Sequence, residues 1–170
     1  MQSFLVFGDK LLGTVALVSL RASCVFLALM FVLINVEVLG RYIVGYSTLI
    51  AEEFVGYFFA WMTFLGFAMT LRNGQFLRVE IGLRRMSARL SNLFQGIAAL
   101  LGAALCLILA YCSAHTVWLS FTFGSVSLQV SETPLVVPQA IMPLGMVLLA
   151  LNFLNDGLQR FRRQPTAEAS

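Results

Sequence analysis

The sequence predicts an all-α integral membrane protein with four transmembrane helices, and three observations lead there. Hydrophobic residues make up 59% of the 170-residue chain and charged residues only 11%. Mean hydropathy is +0.88, and so few charges cannot cover a water-soluble surface. Four apolar stretches are each long enough to cross a hydrocarbon core about 30 Å thick, which takes roughly 20 helical residues. None of them alternates polar and apolar positions as a transmembrane strand does. The expected organisation is a single membrane domain over 1–170, with a cytoplasmic interfacial segment at 75–90 and a polar C-terminal tail at 160–170.

The first span lies within Leu11 to Leu39, and Arg21 interrupts its early part. Lys10 followed by LLGTVALVSL and RASC has the outline of a secretory signal. However, Arg21 stands where a small residue should precede cleavage, and Cys24 lacks the aliphatic residue three places earlier that a lipoprotein site requires. An uncleaved span is expected, with Arg21 snorkelling to headgroups and Leu11 to Leu20 partly in the interface. Near its end, Glu37 and Arg41 are four apart in the favourable order for a helical ion pair.

The turn GRYIVGYSTLIAEE leads into the second span, Phe54 to Leu71. Glu52 and Glu53 open this helix, where carboxylates suit the positive end of its dipole. Two compatible readings stand for Glu37, Arg41, Glu52 and Glu53. They cap two helices and pair across a short turn, or they also dock a partner.

A basic strip, RNGQFLRVEIGLRRMSAR, follows at once. From Gln75 to Leu90, apolar Phe76, Leu77, Val79, Ile81, Leu83, Met86 and Leu90 interleave with Arg78, Arg84, Arg85 and Arg89. This predicts an amphipathic segment lying in the interface with its arginines at lipid phosphates. Glu80 and Arg84 add a possible four-residue ion pair.

The third span runs from about Leu93 towards Phe123, longer than one crossing needs, so tilt or projection beyond the lipid is expected. The fourth runs from about Leu135 to Leu154. Pro138 fits its first turn, and only Pro143 need cost a backbone hydrogen bond.

Orientation follows from the basic residues. With the N-terminus cytoplasmic, ten of the eleven Lys and Arg residues face inside and only Arg41 faces out. Both termini are therefore expected in the cytoplasm.

Chemistry is thinly represented. The three cysteines, Cys24, Cys106 and Cys112, are scattered within spans and contain no CxxC, the pattern of inert buried thiols. The single histidine, His115, cannot alone make a bis-histidine haem site or a zinc site. No GxSxG, Walker or HExxH motif is present, so catalytic residues, cofactors and metals are assigned to none. The pI near 9.0 is explained by topology, and no basic face with interleaved aromatics points to nucleic acid.

Small residues recur at four-residue spacing, as Gly56 and Ala60, Ala98 and Gly102, and Ala99 and Ala103, which lets helix backbones approach closely in lipid. No acidic residue lies in the middle of the second, third or fourth span. A transport pathway normally needs intramembrane charges or paired broken helices. The interior reads as packing surface.

The order of residues resembles the small, Q-type (DctQ-like) membrane subunit of tripartite ATP-independent periplasmic (TRAP) transporters. The resemblance covers nearly the whole chain: four spans, the turn with Arg41 and Tyr42, the pair Glu52 and Glu53, the block WMTFLGFAMTLRNGQFLRVE, and TPLVVPQAIMPLG opening the last span. Trp61, Phe64, Gly66, Arg72, Gly74, Arg78 and Val79 stand where the family pattern puts them. Phe76 and Glu80 depart from the histidine and aspartate often found there. Glu80 keeps the charge, whereas Phe76 removes a titratable group.

The resemblance implies a scaffold subunit in the bacterial cytoplasmic membrane. It would anchor a large, elevator-type permease that carries the sodium and substrate sites. A periplasmic binding protein would deliver an organic acid. On this reading Glu37, Arg41, Glu52 and Glu53 face the periplasm as docking contacts, while Trp61, Gly66, Arg72, Gly74, Arg78, Glu80, Arg84 and Arg85 contact the large subunit or phospholipid. Two alternatives belong to other classes: a self-sufficient homo-oligomeric carrier using Glu37 as a proton-coupled site, and a haem- or quinone-binding anchor of an oxidoreductase.

Overall fold

The computed structural model describes residues 2–43, 45, 50–73 and 88–162. Within them the chain forms α1 (Gln2–Ile43), α2 (Ala51–Arg72), α3 (Ala88–Thr122), the short α4 (Val136–Gln139) and α5 (Ile141–Arg162). Four stretches are long and apolar enough to cross a membrane: Asp9–Ile43, Ala51–Arg72, Leu90–Thr122 and Val136–Gln159. Helices satisfy every backbone group within the segment, which is what such apolar sequences require in lipid.

The first helix is longer than expected, a single run of 42 residues that passes through Arg21 without a break. The predicted interfacial segment at 75–90 lies outside the described residues except for its last three, which already belong to α3. The expected polar tail at 160–170 begins within α5, which continues to Arg162, and from residue 163 on it lies outside the described residues.

Helix ends are set by local chemistry. Glu52 and Glu53 occupy the first turn of α2 and Arg72 its last, matching the dipole at both ends. Gly124 ends α3 at φ +59, with its N–H donating to Phe121 O at 3.3 Å and the Ser125 N–H reaching back to Ser120 O at 2.9 Å. This is the Schellman arrangement, and its left-handed residue favours glycine. The fourth span begins as α4, passes through Ala140 and continues as α5. Pro138 and Pro143 are each the third residue of their own helix, where the missing N–H is one of the orphan donors of a helix start. Pro143 therefore costs no interior hydrogen bond, contrary to the sequence expectation.

The long helices pack in the spatial order α1, α2, α5, α3, so α2 and α5 are central. Asp9 near the start of α1 accepts a hydrogen bond from Asn155 near the end of α5 at 2.7 Å, so the N- and C-terminal ends of the bundle coincide. Contacts are close because the seams are small. In α3 the buried positions Gly96, Ala99, Ala103, Cys106 and Ala110 recur at alternating three- and four-residue steps, and a Cβ on Gly102 would sit 3.3 Å from the Phe153 ring of α5. Between α2 and α5, a Cβ on Gly145 would lie 2.7 Å from Phe64 Cβ and 2.8 Å from its carbonyl oxygen. Leu71, Cys106, Leu149 and Ala150 form the buried core, packed by Phe67, Met146 and Phe153.

Of the expected small-residue pairs, Ala99 and Ala103 lie in this seam at 5% and 1% exposure. Gly102 also faces α5, but its partner Ala98 faces outward. Gly56 is exposed, with nothing within 4 Å of a Cβ built on it, so it marks no helix contact within this chain. Cys106 is buried, whereas Cys24 and Cys112 are exposed; periodicity along each helix decides this, and span membership alone did not reveal it.

Candidate functional site

Polar side chains gather at both ends of the bundle. At one end, the Arg41 Nη2 donates to Glu37 Oε1 at 3.3 Å and lies 3.6 Å from Glu52 Oε1. Arg41 and Glu52 are exposed at 51% and 74% of their side chains, while only 12% of the Glu37 side chain is exposed. The three residues line one side of a groove of about 510 Å³ between α1 and α2, whose other walls are Ile34, Val38, Tyr42, Ala51 and Val55. Its lining is mainly apolar, with charge at one margin.

Glu53 does not join this cluster. It is directed to another side of α2 and is 7% exposed. Tyr57, one turn on, donates its hydroxyl to Glu53 Oε1, and Ser131 Oγ donates to Glu53 Oε2 at 2.5 Å. Ser131 belongs to the connection between α3 and α4, which is folded on itself by Ser127 N–H to Thr133 O at 2.9 Å and Leu135 N–H to Ser125 O at 3.0 Å. Glu53 thus fastens that connection to the head of α2. The same connection carries exposed apolar residues, with Phe123 at 77%, Leu128 at 105% and Val130 at 66%.

At the other end, Arg72 reaches across helices. Its Nη2 donates to Asp9 Oδ1 at 3.1 Å and to the Asp9 carbonyl at 3.3 Å, and its Nη1 donates to Asn152 Oδ1 at 3.4 Å. Asp9 Oδ1 also accepts from Asn155 Nδ2 at 2.7 Å and Gln159 Nε2 at 3.3 Å. Gly13 makes room for the guanidinium, since a Cβ there would lie 3.1 Å from Arg72 Nη2. The result is a three-helix knot of α1, α2 and α5.

Among the other residues singled out from sequence, Trp61 packs on Phe26 of α1, with ring centroids 5.2 Å apart. Gly66 faces α1, where its Cβ would stand 3.4 Å from Ser23 Oγ. Gly74, Arg78, Glu80, Arg84 and Arg85 lie outside the described residues. Sequence reasoning missed Asp9, Asn152, Asn155, Gln159 and Ser131. Asn152, Asn155 and Gln159 recur at three- and four-residue steps along the second half of α5, and that was the available signal.

Glu37, the coupling carboxylate of the carrier alternative, is held beside Arg41 within two turns of the end of α1. His115 is exposed on α3. Among the described residues no group of three or more His, Cys, Asp or Glu side chains is placed to hold a metal ion.

A family model described as tripartite ATP-independent periplasmic transporters, DctQ component, matches residues 30–163. No curated protein and no solved structure matches the chain.

Proposed function

The chain belongs to the DctQ component family of tripartite ATP-independent periplasmic transporters, and from that premise we propose that it is the stationary scaffold subunit of a sodium-coupled uptake system. It anchors a large elevator-type permease subunit, which holds the sodium and substrate sites. The cargo is an organic acid handed over by a periplasmic binding protein. Its place is the bacterial cytoplasmic membrane, with both termini in the cytoplasm as the distribution of basic residues favours. In that orientation the Arg41 end faces the periplasm, and the Arg72 end and the basic segment 75–90 meet the cytoplasmic headgroups and the large subunit.

The observation that carries this reading is the character of the interior. Helix contacts are made by Gly, Ala and Ser against aromatic and aliphatic partners, and the described charges gather at the two ends, apart from Arg21 on the outer face of α1. A bundle built this way offers a solute no polar route, but it offers a partner rigid apolar walls. The outer helices α1 and α3 present long rows of exposed Val, Leu, Ile and Phe.

Co-purification tests the reading. The tagged chain, extracted from native membranes in mild detergent, is expected to carry a large polytopic membrane protein in a fixed ratio. Recovery of the chain alone across several detergents, together with solute uptake by vesicles holding only this chain, would overturn the scaffold role.

A further inference from the structure

Helix α1 carries two stripes, both with a seven-residue period and on opposite sides. One stripe, Asp9, Ala16, Ser23, Met30 and Glu37, is buried or half-buried on the α2 side. The other, Thr14, Arg21, Ala28, Asn35 and Tyr42, is exposed throughout. A strict seven-residue repeat keeps one line of side chains facing one supercoiled neighbour along the length of a helix. The α2 stripe has its neighbour within the chain, and the outer stripe has none among the described residues.

The composition of the outer stripe is wrong for lipid. Thr14 returns its hydroxyl to Lys10 O at 3.0 Å, which hides one polar group. Asn35 donates to Phe31 O at 2.7 Å, and the residue is exposed on this face. Arg21 makes no ion pair among the described residues. Its depth matters, because Ser23, two residues on, donates to Met62 O at 2.7 Å, and Met62 is at the middle of α2 (Ala51–Arg72). The Arg21 backbone is therefore about 3 Å, two residues of helical rise, from the mid-level of the bundle, deeper than the headgroup position expected for it from sequence. Hydrocarbon offers no acceptor there, and ionisable groups at this depth normally face protein or water.

The outward stripe of α3 supplies the contrast. Phe94, Leu101 and Ile108, also seven apart, are 50%, 67% and 60% exposed and apolar, as lipid contact demands; the polar members of that line, His115 and Thr122, come only in the last two turns of α3. Near mid-level the two outer helices thus present different chemistry.

We propose that the Thr14–Arg21–Ala28–Asn35 stripe of α1 is the seam on which a transmembrane helix of the large subunit packs, with a carboxylate of that helix opposite Arg21. This rests on the scaffold reading given above and specifies the face it uses. Charge complementarity selects the occupant: a guanidinium carried on backbone this deep needs an anion, and a neighbouring helix can place one within its reach while that helix's backbone approaches over Ala28. The flanking Val18, Val25, Leu29 and Val32, each 45% or more exposed, supply the apolar margins of the contact.

The test co-expresses the chain with its large membrane subunit and places a photo-crosslinking amino acid at position 28 or at position 108. Crosslinks to the large subunit, identified by mass spectrometry, are expected from position 28 and absent from position 108. Arg21→Leu is expected to lower co-purified large subunit at least fivefold, and Asn35→Leu by a smaller factor. Both substitutions make α1 more apolar, so failure to insert does not explain the loss, and Leu101→Ala should leave the yield unchanged. Wild-type yield with Arg21→Leu, or equal crosslinking from both positions, overturns the seam while leaving the scaffold reading intact. Loss of bound anionic phospholipid from Arg21→Leu with unchanged complex yield overturns it in favour of a lipid occupant. If the wild-type chain retains no large subunit at all, the scaffold reading itself fails.

Discussion

At the Arg72 end a guanidinium on α2 meets Asp9 of α1 and Asn152 of α5, while at the Arg41 end a guanidinium on α1 meets Glu37 on its own helix and Glu52 at the start of the next. The first joins residues 63 and 80 positions apart. The second is local in sequence and open to solvent. The side chain of Arg72 is 23% exposed and that of Arg41 51%. Desolvation strengthens the first set of contacts and raises the cost of leaving them half made. Solvent screens the second. The difference assigns the Arg72 end to holding the bundle together and leaves the Arg41 end available for a partner.

Removing the Arg72 side chain should give the largest effect. Arg72→Leu leaves the Asp9 carboxylate with two amides and no cation, and it leaves Asn152, only 3% exposed, without its donor. The expected loss is about 1–3 kcal/mol, the scale of hydrogen bonds to charged groups. Thermal unfolding of the purified protein in detergent checks it. Arg72→Lys should recover part of the loss, because a point charge keeps Asp9 but cannot also reach Asn152 with a second planar donor. A melting temperature no lower than that of the matching Arg41 variant would erase the contrast between the two ends.

Glu53 sharpens the comparison from the opposite end, because there the buried group is not the ion pair but its neighbour. Glu53→Ala removes the acceptor for both Tyr57 and Ser131, so the connection 123–135 should lose its tie to α2 while the α1–α2 contact persists. Hydrogen exchange should accelerate at Ser127 and Leu135, whose N–H groups are bonded within that connection, and remain slow in α2. A smaller drop in melting temperature than for Arg72→Leu is expected. Unchanged exchange in the connection would show that its own backbone hydrogen bonds are sufficient.

The number of spans, their limits within a few residues and the Glu37–Arg41 pair were all legible in the sequence, since hydropathy and four-residue spacing are local properties. Glu52 and Glu53 show where such reading stops. Two identical adjacent residues at a helix start look interchangeable, yet successive positions on a helix lie about 100° apart, so Glu52 faces α1 and solvent while Glu53 faces the α3–α4 connection. Asp9 was illegible for another reason. Its partners Asn155 and Gln159 lie 146 and 150 positions away, and only the packing order α1, α2, α5 brings them within reach. Arg21 is visible in the sequence as an interruption of the first span, but its outward direction appears only once the α2-facing stripe of α1 is known.

Arg41 should give the smallest change in stability and the clearest separation of capping from docking. An exposed ion pair contributes about 0.2–1 kcal/mol, so Arg41→Ala should shift the unfolding midpoint little, and added salt should shrink even that. Arg41→Glu reverses the charge at the margin of the groove between α1 and α2, beside Glu37 and Glu52. In the assembled complex, binding of the substrate-loaded periplasmic protein should weaken by up to about fivefold, the factor that corresponds to about 1 kcal/mol. The weakening should diminish as ionic strength rises, because exposed charges more than about 8–10 Å apart are largely screened near physiological salt. Unchanged binding with slightly lowered stability would leave Arg41 as a cap between two helices. Weakened binding with unchanged stability would instead place the docking surface at the end of the bundle where the charges are least needed for the fold.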